Sequence, residues 1–375
     1  MKKIVIDARF YGLENTGLGR YTCRLVDEIV KNKSEFEFYL LLRKKYFESL
    51  RVPNGVHKVL CDIKHYSISE HLFLARQIKK INPDLVHFLH FNVPINFNGN
   101  YIVTIHDLLM HNQKTVKSST LPSVLFKTKR LGYHRVFRHA VLSAKKVIVP
   151  SVAVMEEVSK YYNLQKNKIT AIYEGVEDPP MVPTGESVLK TYNIDRPYFI
   201  YTGNAYPYKN LDRAIEANYV LNKQYGLESL FVIVSARNVF IERLSKSIPV
   251  EQMEYVRLLG FVPDRDLYSL YKYSVGFVFP SFSEGFGLPG IDAMRAGTIC
   301  LASDISVFKE IYKDNPFYFN PYDFTSIAES MRDVYTLDLK KRKEIILKSI
   351  NFVKRYSWKK MSQKITEVYE QVLKI

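Results

Sequence analysis

The chain has 375 residues, 47% of them hydrophobic and 25% charged, with a formal net charge of +16 at pH 7. That is the make-up of a soluble globular protein long enough for two domains with ample cores. It excludes a helical membrane protein, because no run approaches the ~18 apolar residues a spanning helix needs. Cys23, Cys61 and Cys300 are odd in number, widely spaced and set in apolar surroundings. They read as buried thiols in a reducing compartment, the cytoplasm, and not as a disulfide framework or a zinc site.

In chain order, Met1-Lys2-Lys3 leads into an apolar run too short for a signal peptide, and Lys3–Phe10 reads as a first strand. Asn15-Thr16-Gly17-Leu18-Gly19-Arg20-Tyr21 then turns into a helix over Arg20–Lys31. Backbone N–H groups at Gly17–Gly19 would point toward a phosphate; a plain tight turn fits the same residues equally well. Further strands are expected at Phe36–Leu42, Asp84–Phe88, Tyr101–Ile105, Lys146–Val149 and Ile169–Tyr173, with a helix over Ser69–Ile81. His87 and His90 stand three apart, which on a strand sends them to opposite faces, so they make a poor metal pair. His106, in Thr104-Ile105-His106-Asp107, sits at a strand end and titrates near neutrality, so it can donate to a hydroxyl or a developing charge.

Residues 114–146 contain no Asp or Glu but nine Lys or Arg, interleaved with apolar side chains such as Leu131, Val136 and Phe137. Such a stretch reads as a contact with an anionic membrane surface or a polyanion, or as a solvated face of a basic protein. No nucleic-acid motif accompanies it, so no specific nucleic-acid partner is expected. The segment from Glu177 to Glu186 is polar and Pro-rich and marks a linker.

A second α/β series follows, with strands at Tyr198–Thr202, Leu230–Val234, Tyr255–Leu259, Gly276–Phe279, Thr298–Ala302 and Phe317–Phe319. Alternation of strand and helix patterns predicts parallel sheets in two Rossmann-like domains facing a cleft. The Asp264-Arg265-Asp266 triplet precedes a helix and reads as its N-cap with dipole-favoured acids. The tail from Leu339 to Ile375 reads as helical, with Ser357 capping the last helix.

The most informative stretch is Pro280-Ser281-Phe282-Ser283-Glu284-Gly285-Phe286-Gly287-Leu288-Pro289-Gly290-Ile291-Asp292-Ala293-Met294-Arg295-Ala296-Gly297. It joins a buried strand to a short helix that stops at Gly297. Ligands of open α/β sheets lie outside the carboxyl ends of strands, where this loop falls. Glycines allow close backbone approach, and a helix N-terminus favours an anion. The local physics points to a phosphate with Glu284 beside it.

This pattern resembles the donor-site signature of the retaining glycosyltransferases of family GT4. Glu284 matches its first acid, and Asp292 stands where the second is usually Glu. Tyr201-Thr202-Gly203-Asn204-Ala205-Tyr206-Pro207-Tyr208-Lys209-Asn210 resembles the loop in which that family grips the donor diphosphate; Lys209 matches its Lys, while Asn204 replaces its Arg and Asn210 its common Gly. The resemblance implies a GT-B architecture: an acceptor-side domain over 1–183, rejoined by the helix 357–375, and a nucleotide-sugar domain over 184–356. It also implies that Gly17, Gly19, Gly203, Asn204, Lys209, Glu284, Gly285, Phe286, Gly287 and Leu288 bind the donor. Phe261 and Val262 would contact the base, Asp292 the ribose, and His106 the sugar from the first domain once the cleft closes. Glu284, His106 and Lys209 would act at the reacting centre.

The activity implied is transfer of a hexose from a nucleotide-diphosphate sugar to a hydroxyl, with no cofactor and no metal. The motif forms resemble the mannosyltransferase members, so GDP-mannose is the first expectation and a UDP-hexose the second. A saccharide or lipid-linked acceptor of a cell-envelope polymer is expected, with the protein in the cytoplasm and peripheral at the inner face of the membrane. A sugar-nucleotide epimerase of the same fold and a degenerate, binding-only relative are the competing expectations.

Overall fold

The computed structural model describes residues 1–31, 35–112, 123–178 and 187–374. The chain forms two compact units. One runs through Gly175 and takes the chain back from Ser357 onward; the other is Val176–Tyr356.

The first unit is built on seven parallel strands: β1 (Lys2–Asp7), β2 (Phe36–Leu42), β3 (Val56–Leu60), β4 (Leu85–Phe88), β5 (Tyr101–Thr104), β6 (Lys146–Val149) and β7 (Ile169–Ala171), in the order β3-β2-β1-β4-β5-β6-β7. The second has six: β8 (Tyr198–Thr202), β9 (Leu230–Val234), β10 (Val256–Leu259), β11 (Gly276–Phe279), β12 (Cys300–Ser303) and β13 (Phe317–Phe319), in the order β10-β9-β8-β11-β12-β13. Every pairing is parallel, so helices must return the chain across the faces and bury both sides of the central strands. That is why β4, β5, β8, β9 and β11 are largely apolar and buried at every residue.

In each sheet the strand order reverses once, between β1 and β4 and between β8 and β11. These are the points where the loops at the carboxyl ends part and leave room for a ligand. Both of the strongest motifs stand at the second of them: Gly203–Asn210 leaves β8, and Pro280–Gly287 leaves β11.

The last helix, Trp358–Leu373, belongs to the first unit. Ser357 caps it by accepting from the Lys360 N–H at 3.4 Å, as expected. Gly175 makes the approach feasible, since a Cβ there would meet the Trp358 nitrogen at 2.1 Å. Further along, the fully buried Tyr369 hydroxyl meets His87 Nδ1 at 2.8 Å, and its ring packs edge-on to Phe36. The other His87 nitrogen meets Thr104 Oγ1 at 2.9 Å, so His87 is a structural residue locked inside the sheet.

Three local expectations are corrected. The strand β3 was not anticipated, because its Val-His-Lys-Val-Leu sequence at a sheet edge is short and only half-buried. The first helix begins at Thr16 and not Arg20, so Gly17 and Gly19 form its first turn. Asp264 is the first residue of its helix and Pro263 the cap; Asp264 and Asp266 sit in the first turn, where the dipole favours them, and Asp266 accepts from the Tyr192 hydroxyl at 2.8 Å. All three cysteines are free and buried.

Candidate donor site and its partner residues

The loops after β8, β11 and β13 are knitted together by Asn210. Its backbone is left-handed, φ 59 and ψ 35, a conformation that Asn and Gly tolerate best. Its buried side-chain amide donates to the carbonyls of Pro280 at 3.0 Å and Pro321 at 2.8 Å, while its oxygen accepts from Arg213 at 3.1 Å. Asn therefore does what Gly does for the backbone and adds a three-loop clasp. Arg213 is placed by this bond and by the Phe282 ring 5.4 Å away. A backbone bond from Phe282 N–H to the Tyr208 carbonyl, 2.9 Å, joins the first two loops again.

We expect Asn210→Gly to lose about 2 kcal/mol by stranding two buried carbonyls. Asn210→Ala should lose about 1 kcal/mol more through left-handed strain. Urea unfolding of the two variants checks this, and an Ala variant as stable as the Gly variant would refute the conformational part.

On this frame Lys209 and Glu284 meet. Lys209 Nζ donates to Glu284 Oε1 at 2.5 Å, with the two side chains 12% and 10% exposed. Lys209 also lies over the rings of Tyr208 and Phe279. Tyr201, beneath, is buried, and burial together with the nearby Glu284 carboxylate pushes its phenol well up; its hydroxyl donates to the Asn204 carbonyl at 2.8 Å. Gly203 has φ 138, and a Cβ there would meet that hydroxyl at 2.9 Å.

The glycines of the β11 loop have a steric cause. Gly287 has φ 94, and a Cβ on it or on Gly290 would meet the Tyr312 hydroxyl at 2.2 or 2.4 Å. That hydroxyl donates to the Gly287 carbonyl at 2.6 Å and fixes the loop where it enters the helix Leu288–Arg295. Gly285, Phe286, Gly287 and Leu288 thus form the entry to a helix N-terminus beside the Lys209–Glu284 pair. Asp292 is in the following turn and buried. Phe261 and Val262 leave β10 at the same carboxyl edge, Phe261 82% exposed and Val262 buried.

Gly17, Gly19 and His106 belong to the first unit. Gly17 is exposed in open space, whereas Gly19 is buried, and a Cβ on it would meet the Gly12 carbonyl oxygen at 1.9 Å. The second glycine is needed for packing the helix onto its own entry loop.

His106 follows β5. Its Nε2 meets the Leu89 carbonyl at 2.9 Å and, since a carbonyl only accepts, must donate. In the neutral ring Nδ1 would then hold only a lone pair, so His106 donates from Nδ1 only when charged. Glu174 Oε1 lies 3.8 Å from that Nδ1. Burial alone would lower the pKa, but the Glu174 carboxylate overrides it and raises the value above 6.5. Glu174 is a site residue that sequence reasoning missed. The signal available was an acid just beyond a strand end, the position already used to single out His106.

Among the described residues no group of three or more His, Cys, Asp or Glu is placed to hold a metal ion, and no helix is long and apolar enough to cross a membrane. Of the basic stretch, residues 114–122 lie outside the described residues, as do 179–186 of the linker. Residues 123–143 form a helix that buries Phe137, Ala140 and Val141 and exposes Leu131, Arg135 and Arg138.

Two family models match the chain: "Glycosyltransferase Family 4" over residues 15–178 and "Glycosyl transferases group 1" over 190–352. The O-antigen chain mannosyltransferase RfbU of Salmonella typhimurium is 26% identical, across 96% of this chain and 98% of that protein. The O-antigen chain mannosyltransferase B of Escherichia coli is 23% identical, across 95% and 96%. Among solved structures, Anabaena Alr3699/HepE in complex with UDP and glucose aligns with a TM-score of 0.74 at 16% identity, over 99% of this chain and 100% of that one. With its two parallel-sheet units and a family model matched to each, the chain belongs to the group 1 glycosyltransferases of family GT4, with the GT-B fold.

Proposed function

We propose that the chain transfers a mannosyl group from GDP-mannose to a hydroxyl of a saccharide or lipid-linked acceptor during synthesis of a cell-envelope polysaccharide, with a UDP-hexose as the second donor candidate. The observation that carries the reading is the meeting of Lys209 and Glu284 at the β8/β11 reversal, beside a helix N-terminus. The mannosyl choice is supported by the two O-antigen mannosyltransferases that are similar over nearly their whole length.

In this reading the bond from the sugar's anomeric carbon to the diphosphate breaks, one forms to the acceptor oxygen, and the acceptor's proton leaves with the diphosphate or to solvent. Lys209 leaves Glu284 for the diphosphate as charge builds there, and the helix N-terminus adds its dipole. Glu284, released, holds the sugar hydroxyls. Asp292 takes the ribose, Phe261 and Val262 the base, and His106 donates to the sugar from Nδ1. No metal is required, since Lys209 and the helix N-terminus supply the positive field. The exposed basic face of the helix 123–143 would rest on an anionic bilayer, where each Lys or Arg contributes about 1 kcal/mol.

A thermal-shift panel with GDP, UDP, ADP and NAD, with and without magnesium, tests the donor. A nucleotide at ~100 times its Kd adds about 2.7 kcal/mol to stability, which is readily visible. Stabilisation by GDP that magnesium does not change is the expected result. Stabilisation by UDP alone would move the donor to a UDP-hexose, and no stabilisation by any nucleoside diphosphate would favour a degenerate site.

A further inference from the structure

At the carboxyl ends of β1 and β4, where the first sheet reverses, lies a buried charged network that donor chemistry does not use. Arg9 is 1% exposed. Its guanidinium donates to both oxygens of Asp7, each at 2.7 Å, and to Glu70 Oε1 at 2.8 Å. Glu70 Oε2 accepts from the Tyr66 backbone N–H at 2.9 Å and from Asn92 Nδ2 at 3.1 Å. Burying such a group of charges is a poor route to stability, because desolvation offsets the attraction. What the network does do is fix two neighbouring rings.

The first is His90. Burial would raise the Glu70 pKa, but His65 3.9 Å away, the Arg9 charge and the bonds from Arg9 and Asn92 pull it down to about 2, so Glu70 is a carboxylate that only accepts. Asn92 must therefore turn its NH2 toward Glu70, which leaves its oxygen facing His90 Nδ1 at 2.7 Å. His90 Nδ1 must donate. Burial, then the charge on His106, hold His90 neutral, with a pKa pushed down to about 3. Its Nε2 is consequently a bare lone pair. The His90 and His106 rings lie 6.4 Å apart, so a neutral ring with an acceptor nitrogen stands beside the ring whose pKa Glu174 raises.

The second is Tyr66. Its φ is 58, a left-handed conformation that a bulky residue adopts only under strain. It is nevertheless 64% exposed, so burial of its ring does not repay that strain. The Glu70 carboxylate holds its N–H in this conformation. The ring stands edge-on to His90 at 5.9 Å and near Phe91 and Phe10 at 6.1 and 6.4 Å, with His65 stacked on Phe10 at 3.6 Å. Strain kept at an exposed aromatic beside an oriented histidine is the pattern of a binding site.

We infer that Tyr66 and His90 form a subsite for the acceptor saccharide, whose apolar C–H face stacks on the Tyr66 ring while one of its hydroxyls donates to His90 Nε2. The face of an aromatic ring carries the negative lobe of its quadrupole and attracts such polarised C–H groups. The inference rests on the transferase reading, with the acceptor on the first unit.

Saturation-transfer NMR on the full chain without nucleotide tests it, using the methyl α-glycosides of mannose, glucose and galactose as probes. Enhancement should appear for at least one glycoside, strongest at ring C–H protons. It should survive in Tyr66→Phe, fall about tenfold in His90→Phe, and vanish in Tyr66→Gly. Glycine accepts φ 58 without strain, so the melting temperature of Tyr66→Gly should not fall, which separates lost binding from lost folding. Enhancement that is equal in wild type and Tyr66→Gly, or absent from folded wild type, would overturn the subsite. Nucleotide stabilisation that persists in Tyr66→Gly would leave the donor reading standing in either case, whereas its absence from wild type would defeat that reading and the saccharide's role as acceptor, but not saccharide binding at Tyr66 and His90.

Discussion

Lys209→Ala is expected to lower kcat/KM by about 10²–10³-fold, the usual cost of removing one preorganised donor to a developing negative charge. Nucleoside diphosphate affinity should fall with it, because the charge-assisted bond is made to the diphosphate that stays bound after transfer. Glu284→Ala should abolish turnover while leaving nucleotide binding near its wild-type value, since its assigned contact is with sugar hydroxyls. Steady-state kinetics with the nucleotide sugar, read beside calorimetry with the diphosphate alone, separates the two roles. Unchanged turnover in Glu284→Ala would defeat the site assignment.

The same pair predicts a stability pattern that a purely structural ion pair would share only in part. Both side chains are nearly buried, so either single substitution leaves a charge without its partner, at a cost of about 3–5 kcal/mol. The double variant removes both charges and should recover most of that loss, giving a large coupling energy in a double-mutant cycle. Activity should not recover. Parallel recovery of stability and turnover would mean that the two residues only hold the loops together.

The fold was largely legible because a parallel sheet buried on both faces writes itself as largely apolar runs; Phe36–Leu42, Lys146–Val149, Tyr198–Thr202, Leu230–Val234, Gly276–Phe279 and Phe317–Phe319 stand at the expected residues. The edge strand β3 was not, since an edge needs no such run. In the site, Glu284 and Lys209 were legible as parts of ordered motifs, but their mutual contact was not, because it joins loops 75 residues apart. The role of Asn210 was equally hidden: a chain reads as having lost a glycine, when the backbone requirement is a left-handed residue that Asn also satisfies. Glu174 and the Arg9–Glu70–Asn92–His90 chain are assembled from four or more segments by the order of strands in the sheet. No local pattern encodes that adjacency.

Glu174→Gln should shift the alkaline limb of the pH–rate profile downward by about one unit or more, the effect of removing an opposite charge within ~4–6 Å of a titrating group. Nδ1 of His106 donates only in the charged ring, so activity that depends on this donor is lost as pH rises through the folded-state pKa. Desolvation pulls that pKa down and Glu174 lifts it above 6.5. The other groups around the ring are Asp107, which also raises it, His87 and His90, which are held neutral, and Tyr21, edge-on at 4.8 Å. None of these replaces the carboxylate, so in the Gln variant desolvation should prevail. Linkage gives the matching stability signature. Because folding raises the pKa of His106, its contribution is fully present below pH 6.5 and disappears as pH climbs through the folded value. The stability difference between wild type and Glu174→Gln should therefore shrink from pH 6 to pH 9. NMR titration of the His106 ring reads the same shift directly. An unmoved alkaline limb in a folded Glu174→Gln protein would show that Glu174 does not set the protonation of His106 during turnover.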